Sequence, residues 1–399
     1  MNRRDFLKQS LSASAIALAP ALPSSGIVSV TEHGADPTGK RDSTAALRAA
    51  IAQLPKQGGR LVFAKGSYRL DQASGTVLAF NWLRQLTVEG NGALLLCSGQ
   101  GQPLLFAGCT DTNISGLQID WPSPPFSQGV IETVTGDQVD VKLDPEFADA
   151  AIQKVEAIGQ YDSATRLPSP DGIDSYHSVK AVSRVSPQVV RLSLKQPLPL
   201  SPGMHLVLRH TVYGANALVL RSCTDTHLSD VAIHASPGLG LLALGCSNLA
   251  LANFSVMPAP GTTRYLSTNS DGSHFVDCRG SIEISNSRFR GMGDDAVNAF
   301  ASYWTVQQSQ PGSITVSARS NSPVGDWQLP RSSDTLHFVD ASTFQSLTHA
   351  QVTRSVLQGG RAVISISGAS DVPVGALVCN LAGAPQLQVS ESHFLGNRA

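Results

Sequence analysis

The stretch "CTDTHLSDVAI", residues 223–233, has a near copy on either side. "CTDTNISGLQI" stands at 109–119 and "CSNLALANFSV" at 246–256. Each copy opens on a cysteine and places an aliphatic residue five positions later: Ile114, Leu228 and Leu251. Apolar residues return at positions eight and ten. Cys223 and Cys246 are 23 residues apart, a period typical of stacked coils that cannot bury an apolar face alone. The local alternation in "NISGLQID" and "SIEISNSRF" makes the coils strands, not helices. The predicted fold is all-β, a right-handed parallel β-helix.

Working outward, "CRGSIEISNSRF" at 278–289 is a fourth copy with one extra residue before Ile284, and "QLQVSESHF" repeats the pattern around Val389 and Phe394. Six cysteines in an exported chain could form disulfides. Recurrence at one coil position predicts instead that Cys109, Cys223, Cys246 and Cys278 stack inward, unpaired. Upstream, "DSTAALRAAIAQLP" opens on a capping residue, Asp42 or Ser43. Leu47, Ala50, Ile51 and Leu54 share a helical face, and Pro55 ends the helix, which is expected to plug the open coil end.

The coil rhythm stops twice, at segments expected to be small inserted β domains over 121–210 and 302–382. The coils then span 27–120, 211–301 and 383–399. Residues 1–26 read as a twin-arginine leader: Arg3-Arg4, Phe6-Leu7 and Lys8 precede a mildly apolar run and small residues. The mature protein is expected in the periplasm or medium. With 29 Lys and Arg against 30 Asp and Glu, charge favours neither nucleic acid nor an anionic membrane. No CxxC, HExxH or calcium-loop pattern occurs, so no metal or other cofactor is expected.

The chemistry concentrates in "GMGDDAVNAF", residues 291–300. Asp294 and Asp295 are adjacent, and Asp271 lies 23 residues before Asp294. Residues one coil apart stack at roughly 4.8 Å, so the three carboxylates should share one patch. They cannot all ionise freely, and at least one should hold its proton. An acid beside a base is what glycoside hydrolysis needs. Two solvated turn aspartates are the bland alternative.

The segment running from "SDGSHF" at 270–275 to "GMGDDAVN" at 291–298 resembles glycoside hydrolase family 110, the exported bacterial α-1,3-galactosidases. The resemblance covers most of the chain, including "HASPGLGLLALGCSNL" at 234–249. It implies an inverting, exo-acting enzyme that removes terminal α-1,3-linked galactose, as on blood-group-B-type glycans. It implies Asp294 as general acid, and Asp271 and Asp295 as the pair that holds and activates water. An inverting pair should stand roughly 6.5–9.5 Å apart. The chain departs from the family's "DDAxNxHG" at Phe300 and Ala301, where histidine and glycine are usual, and has Ala64 where proline is common. It ends on "FLGNRA", where family members begin another coil, and so reads as a fragment.

Further substrate contacts are expected from Arg264, His274, Asn298, Tyr303 and Trp304, with His210 and Tyr213 at the cleft edge. For each a structural role is the alternative: a surface arginine, a satisfied histidine, a ladder asparagine, core aromatics. The partner is a glycan with terminal galactose. Two other functions remain. A polygalacturonase-like hydrolase would add Gly-His-Gly and Arg-Ile-Lys elements, which are missing after Asp295. A non-catalytic glycan-binding β-helix would have no need of three gathered carboxylates.

Overall fold

The computed structural model describes residues 26–71, 74–318, 324–369 and 371–396, so the twin-arginine segment lies outside the described residues. The chain is nearly all β, with 54% strand and 6% helix, and its coils stack as parallel sheets. One sheet runs through Thr76–Asn81, Gln102–Ala107, Leu218–Arg221, Leu241–Leu244, Ser273–Val276 and Val297–Phe300. A second runs through Arg84–Ser98, Thr110–Asp120, Thr224–Ser229, Ser247–Ala252, Arg279–Ser285 and Gln386–Ser390. Register is one coil per step: Thr224 pairs with Thr110 on one side and Ser247 on the other.

The cysteine repeat marks the coil corner. Cys109, Cys223, Cys246 and Cys278 are buried and free. The Cys109 and Cys223 thiols donate to the Phe80 and Phe106 carbonyls at 3.4 Å, each one coil earlier. Left-handed residues flank every copy: Gly108, Ser222, Gly245 and Asp277 before the cysteine, and Asp111, Asp225, Asn248 and Gly280 two places after it. Gly, Asn and Asp visit that backbone most readily, and seven of these eight corner positions carry one of them, Ser222 being the exception. The side chains also ladder outward: Asn248 donates to Asp225 at 2.9 Å and Asn253 to Asp230 at 2.6 Å. The extra residue of the fourth copy appears as a register shift between Ser247–Leu249 and Arg279–Ile282.

The helix Thr44–Ala52 buries Leu47 and Ala50 in the coil core, where Leu54 joins them. The helix-entry bond comes from Asp42, whose carboxylate accepts the Thr44 amide at 3.0 Å. Ser43 instead accepts from the Asp36 amide.

The two interruptions are different objects. Strands from Phe126 to Arg209 make an eight-stranded, antiparallel sheet whose Phe126, Ile131, Ile158 and Leu208 belong to the same apolar core as the coils. Strands from Tyr303 to Asn380 close a six-stranded barrel around a core of their own.

Candidate active site

The aspartates sit where one coil turns into the strands Ser273–Val276 and Val297–Phe300, which pair Ser273 with Val297. Carried back two residues, that register sets Asp271 beside Asp295, and the Gly272 amide donates to the Asp295 carbonyl at 2.8 Å. The sequence spacing had aligned Asp271 with Asp294. The coil here is one residue longer than 23, so Asp294 leads the pair from the preceding turn. Asp271, Asp294 and Asp295 nevertheless converge: one oxygen from each lies within 4.8 Å of the others. That is closer than the spacing expected of an inverting pair.

Glycine allows the turn. A Cβ on Gly293 would overlap the Asn269 carbonyl oxygen and stand 2.8 Å from Arg209 Nη1. Asp271 is 4% exposed, while the other two are half-buried. Burial raises the Asp294 carboxyl above its ordinary value, and the charges of Asp271 and Asp295 push it the same way. Arg209 offsets part of that rise. The trio therefore combines a carboxyl inclined to keep its proton with two neighbours on which water can be held. A water bonded to two carboxylates spans ~4.4 Å between the oxygens, which this spacing accommodates. The same three oxygens are the one His, Cys, Asp or Glu group among the described residues near enough to share a cation.

Two partners repeat on adjacent coils. His274 Nδ1 lies 2.5 Å from Asp271 Oδ2, and Asn298 Nδ2 donates to Asp295 Oδ2 at 2.9 Å. His274 and Asn298 are themselves in register. Strict strand alternation would have set His274 on the face opposite Asp271. Asp271 precedes the strand, so the turn brings the two together at a separation of three.

Arg209, from the end of the eight-stranded sheet, is a positioning residue that the sequence reading missed. Its buried guanidinium donates to the carbonyls of Gly293 at 2.8 Å and Asn269 at 3.1 Å, and to Asp174 at 3.0 Å. The Tyr176 ring covers it at 4.6 Å. The signal was available in "HLVLRH": an arginine closing a strand whose Leu206, Val207 and Leu208 are all buried needs internal partners. Partial desolvation, then the charges of Asp294 and Asp271, raise the Tyr213 phenol, although the residue as a whole is 75% exposed.

Other expected contacts sit elsewhere. Arg264 is 6% exposed and committed to Asp120 at 2.7 Å, Glu146 at 3.2 Å and the Trp121 carbonyl at 3.3 Å. A buried guanidinium must be paired, and this one ties the coils to the eight-stranded sheet through Asp120 and Glu146, away from the carboxylate trio. Trp304 is 1% exposed in the barrel core, so it offers no face to a ligand. Tyr303 points the other way, partly exposed, and lines a hollow with Phe300. His210 bonds Ser127 at 2.8 Å, and burial lowers its imidazole to about 4.

No family model matches the chain. It is 24% identical over 436 residues to alpha-1,3-galactosidase B of Bacteroides thetaiotaomicron, covering 98% of this chain and 70% of that one. It is 24% identical to alpha-1,3-galactosidase B of Phocaeicola vulgatus, over 79% of this chain and 56% of that one. The chain thus spans little more than half the length of the second of these relatives. Among solved structures, the hyperthermoactive exopolygalacturonase of Thermotoga maritima is 14% identical, over 71% of this chain and 56% of that one, with a TM-score of 0.39. Along nearly its whole length the chain is thus similar to alpha-1,3-galactosidases, the same proteins its aspartate motif resembles.

Proposed function

We propose that the chain is an exo-acting glycoside hydrolase that releases terminal α-1,3-linked galactose with inversion. The observation that carries this reading is the carboxylate trio, within 4.8 Å, with Asp294 displaced toward its protonated form. Asp294 gives its proton to the glycosidic oxygen as the bond to the anomeric carbon breaks. A water held by Asp271 and Asp295 adds to that carbon and leaves its proton on one of them. His274 and Asn298 fix the two carboxylates, and Arg209 fixes the turn that presents Asp294.

The short spacing favours a second reading. Carboxyls ~5–5.5 Å apart ordinarily serve retaining enzymes, in which one attacks carbon directly. Proton NMR during hydrolysis of an α-1,3-digalactoside separates the two, with the α-1,4 isomer as control. β-Galactose appearing first is the expected result; α-galactose first overturns inversion. Release from the α-1,4 isomer at an equal rate removes the linkage assignment.

The reading includes export by the twin-arginine route. Changing Arg3 and Arg4 to Lys should then move activity from the periplasmic to the cytoplasmic fraction.

A further inference from the structure

The strand Val297–Phe300 ends on a side chain that this chemistry leaves unused. Asn298 and Phe300 are two residues apart on one strand, so their side chains leave the same face of the sheet. Asn298 holds Asp295, and its register neighbour His274 holds Asp271. The His274 imidazole lies 5.3 Å from the Phe300 ring, centroid to centroid, with the planes at 82°. Phe300 is nonetheless 44% exposed. A solvent-open aromatic ring thus stands beside the partners of two of the three carboxylates. Isolated exposed apolar residues are ordinary, but this one packs edge-on against the histidine that holds Asp271.

Next to the ring is a hollow of about 330 Å³ between the strand end and the barrel, lined by Phe300, Ser302, Tyr303 and Gln328 among others. None of the lining residues is charged. Gln328 is held by Ser302 at 3.2 Å and Asp277 at 3.3 Å, so the polar side of the hollow is fixed. Aromatic faces with neutral hydroxyl and amide neighbours suit a ligand with one apolar face and a rim of hydroxyls. A neutral pyranose is that ligand. In galactose the axial 4-hydroxyl leaves the hydrogens of C3, C4 and C5 together on one face, and in glucose the equatorial 4-hydroxyl interrupts the patch.

We infer that Phe300 is the platform on which the terminal galactose ring stacks, and so a specificity-determining residue; this rests on the galactosidase reading above. The ring packs on His274, the partner of Asp271, and shares a strand face with Asn298, the partner of Asp295, so a sugar stacked on it would approach the two carboxylates that hold the water.

The test uses the full chain, an aryl α-galactoside as substrate and free galactose as competitive inhibitor. Phe300→Ala should raise KM and the galactose inhibition constant together by about 10-fold, with kcat within about threefold. Phe300→Tyr should restore both constants. Phe300→Leu, which keeps apolar bulk without a flat face, should not. The preference for the galactoside over the matching glucoside should fall in Phe300→Ala. Unchanged constants in Phe300→Ala, or rescue by Leu as complete as by Tyr, would overturn the platform while leaving the galactosidase reading intact. Failure of the wild type to hydrolyse the aryl galactoside would overturn that reading, and the galactose platform with it.

Discussion

The two excursions from the coil stack are both antiparallel β, yet they join it by different physics. The eight-stranded sheet from Phe126 to Arg209 has no apolar core separate from the coils. Its polar side chains also enter the coils: Arg209 grips the Gly293 turn, and Gln128 binds the Tyr265 amide and the Thr263 carbonyl. Asn269 returns the connection through the carbonyls of Pro125 and Thr211. The barrel from Tyr303 to Asn380 keeps its own core and meets the coils through largely buried polar pairs, among them Arg279 with Asp334 and Gln328 with Asp277. A shared core makes the first sheet part of the catalytic scaffold. A private core makes the barrel a neighbour, whose influence on the site is confined to the rim around Phe300.

The largest effect should come from the corner that the first sheet buttresses. Asp294→Asn should lower kcat on an unactivated α-1,3-galactoside by about 1,000-fold, and by less on an aryl galactoside whose leaving group needs no proton. The same substitution should stabilise the fold at neutral pH. Folding raises this carboxyl's pKa, so its favourable contribution exists in acid and is lost as pH rises through the raised value. Melting curves of wild type and Asp294→Asn should therefore diverge at neutral pH and converge in acid. A wild type that melts higher at neutral pH would contradict the crowding of the trio.

Next comes the pair that tests the contrast directly. Arg209→Met leaves two turn carbonyls and Asp174 without their cation and should cost about 3 kcal/mol of stability. It also removes the charge that restrains Asp294, so the basic limb of the kcat/KM profile should move to higher pH, a change that mere loosening would not produce. Arg279→Met should cost about 2 kcal/mol, because Asp334 keeps the Arg331 amide and Asn380 as donors. That loss should appear as earlier unfolding of the barrel, with the pH profile of the surviving activity unchanged. Equal shifts in both profiles would erase the distinction between the two excursions.

The smallest effect at neutral pH should be that of His210→Gln. Burial holds this imidazole neutral to about 4, whereas the unfolded chain protonates near 6.5. Its contribution is complete above 6.5 and declines as pH falls toward 4. Glutamine can still bond Ser127 and does not titrate. The variant should match the wild type at neutral pH and lose less stability in acid, as read from denaturant midpoints at each pH.

The coil fold was legible because its determinants are local. Alternation defines each strand, and the cysteine with its left-handed Asn, Asp and Gly neighbours recurs at each corner, so a period of 23 residues is visible without any long-range contact. The convergence of Asp271, Asp294 and Asp295 was legible for the same reason, since stacking turns a period into proximity. The exact partner was not: the coil that joins Ser273 to Val297 is one residue longer, and only the register shows that Asp271 sits beside Asp295. What lies over a coil is set by packing between segments far apart in the chain. Arg209 reaches Gly293 across 84 residues, and Arg264 reaches Asp120 across 144, so one became part of the site and the other a buried strut. Trp304 and Tyr303 are adjacent in sequence, yet barrel closure buries the first and leaves the second at the rim. Sequence alone determined the repeating backbone and the carboxylates on it; burial and charge pairing between remote segments decided which other side chains stand near them.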